Sequence, residues 1–591
     1  MTIDRYTLTE QQLGKLNELL AELNQSQKIW LSGYLNGLLG RENISGEATA
    51  VPVLQPEISE PVANLTILFG TETGNSQELA EKLAGKAGFK NIKAKVVSMY
   101  DYDLASLVTE DNLAVIVSTH GEGEVPEMAK DFVEFIKGNQ APTLENVSYS
   151  VLALGDKTYK HFCKTGEDVN QALKDLGAFS IVPIQKCDVD YEIPAEIWMN
   201  NFLMNLTPAA AGALEGKSDE DKEYSKTNPF YATVKTKTKL TGEKSDKEVY
   251  HFELSLEGSG LNYEPGDAVG IFTRNPEELV TKIIETGGFD SEHRVFIKDG
   301  QTSLKDALTH HVEITVLSFD LLDKYHQITQ NEELDKILDD DSLLDAYIDG
   351  RDLLDLLEDF PYDWNENKLI EILRPIPPRL YSISSSQEAV GEEVHATISL
   401  VKYEKDKRLR VGACTSHVIF TVEPGDKLPV YIDKNPSFKL PKNNSAIIMV
   451  GAGTGVAPYR AFMQQRSKQG YTGYSWLFYG DRHSESDFLY KDEWENLLEN
   501  ESLERMDVAF SRDQEEKVYV QHKLIENQEE IFEWIENGAH FYICGDMKHM
   551  AKDVNKTLLD IIQTQGGIDE EQAEKYLRML KKDKRYQTDV Y

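Results

Sequence analysis

At 591 residues the chain is too long for one hydrophobic core, and at about 150 residues per unit it divides into three or four. Its 101 acidic against 62 basic side chains, a net charge of -39, argue against nucleic acid or an anionic membrane as partner. No stretch approaches the roughly 18 uncharged apolar residues that cross a bilayer, and Cys163, Cys187, Cys414 and Cys544 stand singly, which predicts reduced thiols, no metal site and no iron–sulfur cluster on this chain.

The opening "MTIDRYTLTE" lacks a basic segment followed by an apolar one, so the expected location is the cytoplasm. Residues 1–42 read as a helical hairpin. Thr9 with Gln12 forms a capping box, Leu13, Leu16, Leu20 and Leu23 share one face, and a second run joins Trp30, Leu31, Tyr34, Leu35 and Leu38. Two helices alone bury little, which leaves two readings: their apolar faces meet another subunit, or they pack on this chain's own globular part. Residues 43–62, rich in Pro, Glu and small side chains, read as a linker.

From 63 to 206 the apolar runs "LTILF", "LAVIVS" and "SVLALG" alternate with amphipathic stretches, the pattern of a doubly wound parallel sheet. A second tether spans 207–227. From 228 to 441 the period drops to two, as in "FYATVKTKTKL" and "VYHFELSL", and predicts an antiparallel β-barrel interrupted by an acidic, Leu-rich helical insertion over about 276–374. Residues 442–591 return to strand-and-helix alternation. The expected fold class is therefore α/β multidomain: a doubly wound parallel sheet, a β-barrel with a helical insertion, and a second α/β domain.

Three loops fall at strand ends of the first sheet. In "LTILFGTETGNSQELAEKL", Thr71, Glu72, Thr73, Gly74 and Asn75 lead into a helix near Ser76, aiming backbone amides and short polar side chains at one anion. Without a following Gly-Lys-Ser/Thr, the loop suits a monophosphate better than a triphosphate; a plain strand-to-helix turn is the alternative. "STHGEGEVPEMAKDF" supplies Thr119, His120, Gly121 and Glu122. "LGDKTYKHFCKTG" supplies Leu154, Gly155, Asp156, Lys157, Thr158 and Tyr159, then His161, Phe162 and Cys163. All three gather at the carboxyl edge of the sheet, where His120 and Tyr159 bring flat rings. They resemble the loops of flavodoxins. That resemblance implies FMN, with its phosphate on Thr71 to Ser76 and its ring among His120, Gly121, Tyr159 and Asp188; His120 stands where close relatives carry tyrosine.

In the barrel region, "PRLYSISSS" places Arg379 and Tyr381 on one strand face, with Leu380 between them and Ser382 next, and an arginine fork suits a pyrophosphate. An ordinary strand reads the same. With "HATISLVKYE" and "GACTSHV" the segment resembles the FAD-binding barrel of the ferredoxin reductase superfamily. That likeness implies pyrophosphate contacts from Gly412, Ala413, Cys414 and Thr415, and places Thr397, Ile398, Ser399, Tyr403 and Thr315 near FAD. In the last region "VGAGTGVAP" spells G-x-G-x-G, a weak dinucleotide signal strengthened by a preceding strand and by Pro458 at a helix start; Gly453 and Thr454 would face the nucleotide. Farther on, "FSRDQEEKVYVQ" groups Ser511, Arg512, Lys517 and Tyr519, beside Val518, Val520 and Gln521, with Asp553 following in "YICGDMKHMAKDV". A cationic, hydroxyl-bearing group favours a ribose 2′-phosphate, hence NADPH over NADH; a solvated surface cluster is the alternative.

The three modules in this order resemble the diflavin reductase family over nearly the whole chain. The resemblance implies electron flow from NADPH to FAD to FMN to an acceptor. It sets Ser382, Cys544 and Asp589 beside the reacting nicotinamide and Tyr591 on the FAD ring, although Cys544 also reads as a buried thiol ending a strand. The segments "LSGYLNGLL", "RAFMQQR", "YVQHKL" and "RYQTDVY" look like those of assimilatory NADPH sulfite reductase flavoproteins. In that family the partner is a haemoprotein β subunit with sirohaem and an iron–sulfur cluster, and the flavoprotein forms octamers. Residues 64–206 hold 21 acidic and 12 basic side chains, so an acidic shuttle would steer toward a basic patch. Two rival expectations are a soluble diflavin reductase serving another haem protein, such as a monooxygenase, and a non-catalytic scaffold with decayed flavin sites.

Overall fold

The computed structural model describes residues 63–206, 224–298, 300–471 and 474–591. The predicted hairpin, its linker and most of the second tether lie outside the described residues. The first strand, β1 (Ala63–Gly70), is buried over its last six residues. A continuous apolar run of this kind belongs to a strand covered on both faces. It is joined by β2 (Ile92–Ser98), β3 (Asn112–Ser118), β4 (Ser148–Leu154), β5 (Phe179–Ser180) and β6 (Gln185–Cys187), all parallel, in the order β2-β1-β3-β4-β5 with β6 also on β4. Helices α1 (Asn75–Phe89), α2 (Lys130–Lys137), α3 (Lys164–Asp175) and α4 (Glu192–Leu206) cover the sheet. One face packs through Leu68, Val115, Val117 and Phe132, the other through Ile67, Leu79, Trp198 and Phe202. Strand order reverses between β1 and β3, which opens a crevice at their carboxyl ends.

The antiparallel sheet follows the order β12-β9-β16-β7-β8-β13, where β7 is Phe230–Lys239, β8 Val249–Ser255, β9 Ala268–Ile271, β12 Arg379–Ser382, β13 Glu393–Ser399 and β16 Lys427–Asp433. A single bridge between Ile383 and Ala396 brings its two ends together into a barrel. Strand alternation sends Val394, Ala396 and Ile398 inward and leaves His395 and Thr397 on the opposite face. Between β9 and β12 the chain forms a helical block from Glu277 to Ile372 that also contains the hairpin β10 (Arg294–Ile297) and β11 (Gly300–Ser303). This acidic stretch stays helical because its turns begin on capping side chains: Ser318 accepts from Leu321 N, Asn331 from Leu334 N, Asp340 from Leu343 N and Asp352 from Leu354 N. Their leucines then share one core with Tyr325 and Trp364. A further hairpin, β14 (Lys402–Lys405) with β15 (Arg408–Val411), precedes helix α5 (Ala413–Phe420).

The last region is a five-stranded parallel sheet, β19-β18-β17-β20-β21, built from β17 (Ile447–Ala452), β18 (Ser475–Asp481), β19 (Arg505–Phe510), β20 (His540–Gly545) and β21 (Tyr586–Val590). Helix α6 (Ala457–Lys468) follows β17, while α7 (Met550–Gly566) and α8 (Glu570–Lys582) lie between β20 and β21. A glycine is mandatory just before α6. A Cβ on Gly455 would stand 2.1 Å from the carbonyl oxygen of Cys544, so only a bare backbone lets the turn cross the end of β20.

Candidate functional site

At the carboxyl edge of the first sheet, Thr71 Oγ1 accepts from Gly74 N (2.9 Å), and Gly74 takes φ +96° at the N-cap of α1. Its lack of a side chain also admits Pro436 of the barrel, whose ring lies 2.8 Å from where a Cβ would sit. Ser76 Oγ, fully buried in the first turn of α1, has no hydrogen-bond partner among the described residues. A buried hydroxyl beside helix N-terminal amides fits a phosphate, and this is the observation that suits the loop to FMN. Glu72 Oε1 accepts from Glu127 N (2.6 Å), fixing the turn that follows the second loop, and His120 is held by paired backbone bonds with Glu124. Asp188 Oδ1 accepts from Lys157 N (3.0 Å) and Val189 N (2.9 Å), and Asp156 Oδ1 from Thr158 N (2.8 Å). These carboxylates shape the third loop. Phe162 lies under the ammonium groups of Lys157 and Lys186, each 5.6 Å from its centroid. Cys163 and Cys187 are buried, and burial pushes each thiol up to about 12, which marks them as packing groups rather than nucleophiles.

These loops open into a cavity of about 430 Å³ whose far wall is Arg374, Pro377, Pro378, Arg379, Leu380, Tyr431 and Asp433. Thr73, Asn75, Thr119, Gly121, Tyr159, His161 and Phe162 face barrel residues across one space. Arg374 reaches Asp156 at 3.8 Å, and Lys160 pairs with Asp341 of the helical block at 2.5 Å. Arg379 Nη2 donates to the buried Glu313 Oε2 (3.0 Å), while Glu313 Oε1 accepts from Thr315 N and Thr315 Oγ1 (2.6 Å). Thr315 thus acts through Glu313 to hold the arginine that lines the cavity. Burial, then the carboxylates of Glu78, Asp267 and Glu192, lift Asp433 to about 6 against the opposing Lys226. Tyr403 is exposed beside Gly350, and Gly412 precedes α5, whose first residues are Ala413, Cys414 and Thr415. Thr397 Oγ1 and Tyr490 Oη are 2.7 Å apart, and Ile398 lies inside the barrel.

Ser382, Cys544 and Asp589 come together although they lie on three strands. Ser382 Oγ donates to Asp589 Oδ2 (2.6 Å), and Cys544 Sγ lies 3.7 Å from the same oxygen. Burial raises the carboxyl of Asp589, opposed by Ser382, and pushes the Cys544 thiol well above its ordinary range. Two residues on, Tyr591 Oη and Thr454 Oγ1 are 3.0 Å apart, and 61% of the tyrosine's surface is open. An open aromatic face beside this cluster fits a flavin ring. Ser511 and Arg512 follow β19 at the carboxyl edge of the last sheet. Ser511 N donates to Asp481 O (2.9 Å), and Gln521 Nε2 donates to Asp553 Oδ2 (3.0 Å). Lys517 and Tyr519 are exposed there, with Val518 and Val520 turned toward the core.

Several residues at these edges escaped sequence reasoning. Glu313 belongs to the helical block and Arg374 follows it, where nothing in the local pattern separates them from ordinary acidic and basic residues. Arg482 stands directly after β18, as Ser511 stands directly after β19, and that spacing could have found it. In the seam between barrel and last sheet, His251 Nδ1 lies 2.9 Å from Tyr490 Oη, and Arg460 donates to Ser384 O (2.8 Å) beside His395. Among the described residues His251, Glu253 and His395 form the one group whose ligand atoms are close enough for a metal ion, and the Arg460 guanidinium beside it opposes a cation.

Three family profiles match in chain order: flavodoxin over residues 67–198, FAD binding domain over 222–417 and oxidoreductase NAD-binding domain over 449–556. Whole-length relatives carry the name sulfite reductase (NADPH) flavoprotein alpha-component. The Bacillus subtilis protein is 46% identical over 598 residues, covering 98% of each chain. Those of Vibrio cholerae and Shewanella oneidensis are 40% and 42% identical, each aligned to 99% of this chain and to 96% and 98% of their own.

Proposed function

Since the chain belongs to the family of sulfite reductase (NADPH) flavoprotein alpha-components, which are diflavin reductases, we propose that it draws electrons from NADPH and delivers them to a haemoprotein β subunit with sirohaem and an iron–sulfur cluster. Bound FAD and FMN supply the conversion of a two-electron hydride into single electrons. The chain's own residues do the rest. Ser511, Arg512, Lys517 and Tyr519 hold the ribose 2′-phosphate. Ser382 and Asp589, with the Cys544 thiol against them, orient the carboxamide and steady the charge that develops as the hydride leaves. Tyr591 covers the same place and swings aside for the nicotinamide. Arg379, steadied by Glu313, grips the pyrophosphate, while Ser76 and the amides of α1 take the FMN phosphate.

The observation that carries this reading is the shared cavity, because flavodoxin loops and the barrel's Arg379 strand open onto one space of about 430 Å³. The residues that would hold FMN and those that would hold FAD line the same space, which would bring the two cofactors together on one chain. We also assign residues 1–42 to self-assembly, into an octamer, and place the protein in the cytoplasm. Anaerobic NADPH titration with flavin extraction tests the core of the proposal. The expected result is one FMN and one FAD per chain, both reduced, with electrons passed to a sirohaem haemoprotein faster than to a monooxygenase haem. A single flavin, or faster delivery to the monooxygenase, overturns it.

A further inference from the structure

The β7–β8 turn of the barrel lies across the nucleotide edge of the last sheet. Gly242 N donates to Ser486 O (2.8 Å), Lys244 pairs with Glu485 (3.1 Å), Ser245 Oγ donates to Asp487 Oδ1 and Lys247 pairs with Asp481. At the crest of this strap stands Asp246. Its Oδ1 accepts from Arg482 Nη1 (2.6 Å) and its Oδ2 from Arg512 Nη1 (2.9 Å). The two arginines follow adjacent parallel strands, β18 and β19, and Arg512 N donates to Arg482 O (2.9 Å), so their forks converge on one point from the carboxyl edge. One carboxylate oxygen meets each guanidinium, as two oxygens of a phosphate would.

We propose that Arg482 and Arg512 together form the 2′-phosphate subsite and that Asp246 is its built-in competitor, an internal anion that the 2′-phosphate of NADPH must displace. This rests on the nucleotide site assigned above and adds to it a second arginine and a residue that sets how tightly the phosphate is held. The four neighbouring links pin the strap, so only the Asp246 side chain has to turn. The exchange replaces a monoanion by a group of higher charge with more acceptor oxygens. A nucleotide without the 2′-phosphate leaves the Asp246 pairs intact. Asp246 therefore weakens retention of NADPH and of its oxidised product while leaving the unphosphorylated nucleotide untouched, which favours release after each hydride transfer.

Calorimetric binding of 2′,5′-ADP and 5′-AMP to the flavin-loaded full chain tests the proposal, because the two probes differ only by the 2′-phosphate. The pairs are solvent-exposed and individually weak, so Asp246→Asn is expected to tighten 2′,5′-ADP by about three- to tenfold, with 5′-AMP unchanged within a factor of about two. Arg482→Gln is expected to weaken 2′,5′-ADP alone. If Asp246→Asn leaves 2′,5′-ADP unchanged or tightens both probes alike, or if Arg482→Gln has no effect, the proposal is overturned. A wild-type chain that binds both probes equally removes the nucleotide assignment itself, a distinct result.

Discussion

The two parallel sheets of this molecule treat their carboxyl edges in opposite ways. In the first, the phosphate loop keeps a donor unpaired: Ser76 Oγ is buried without a partner among the described residues, and the helix amides of α1 stand beside it. In the last, three cations are already neutralised, since Arg482 and Arg512 share Asp246 and Lys247 is tied to Asp481, while Lys517 stays exposed. On the proposed assignments, the first edge retains its ligand through many cycles and the last lets its ligand go after each. The same strand-turn-helix geometry serves a resident cofactor or a passing substrate according to whether the protein supplies its own counter-ions.

The strongest way to break this contrast is to push the last sheet's turn out of place. Gly455→Ala sets a Cβ against the Cys544 carbonyl, an overpacking that costs about 1–3 kcal/mol. It also displaces the start of α6, and the expected outcome is NADPH-driven flavin reduction slowed on the order of a hundredfold with both flavins retained, read by anaerobic stopped-flow. Ser76→Ala sharpens the other half of the contrast. A hydrogen bond to a charged group is worth about 1.5–3 kcal/mol, so FMN is expected to bind more weakly by roughly tenfold or more. Removing an unpartnered buried hydroxyl leaves the thermal stability of the flavin-stripped chain unchanged or slightly higher; a matching loss of stability would count against the phosphate role.

The smallest effect concerns the seam that holds the last sheet to the barrel. Burial, Arg460 and the neighbouring His395 ring hold His251 well below the ordinary histidine range against the pull of Glu253, and burial and Arg460 lower His395 against Glu393 and Glu253. Unfolded histidines protonate near 6.5 and these do not, so the seam's full stability is present above about pH 6.5 and declines as pH falls below it. His251→Gln is expected to flatten the fall in unfolding free energy between pH 6.5 and 5 by up to about 1.4 kcal/mol per pH unit, measured by denaturant titration. An unchanged slope would place the acid sensitivity elsewhere.

Much of this was legible beforehand. Continuous apolar runs gave the parallel strands, period-two runs gave the barrel, and loops at strand ends pointed to phosphates, because burial on two faces or one leaves different patterns. Ser382, Cys544 and Asp589 were singled out by resemblance alone, and their meeting depends on the pairing of β20 with β21 and on the approach of β12, which no local pattern encodes. The Thr397 hydroxyl lies against Tyr490, a partner that strand alternation cannot name. Glu313 and Asp246 were missed for the same reason. Each is one carboxylate among many in an acidic chain, and only the folded backbone brings it to an arginine more than 60 residues away.

The strap from the barrel has a practical consequence for recombination between homologues. A chimera joined at the apparent boundary near residue 442 would import a foreign nucleotide sheet beneath a native β7–β8 turn, with Lys244, Ser245, Asp246 and Lys247 facing loops they were not selected with. Coenzyme preference in such a hybrid would follow the parent of the turn as well as the parent of the sheet, so the two segments have to be exchanged as a pair.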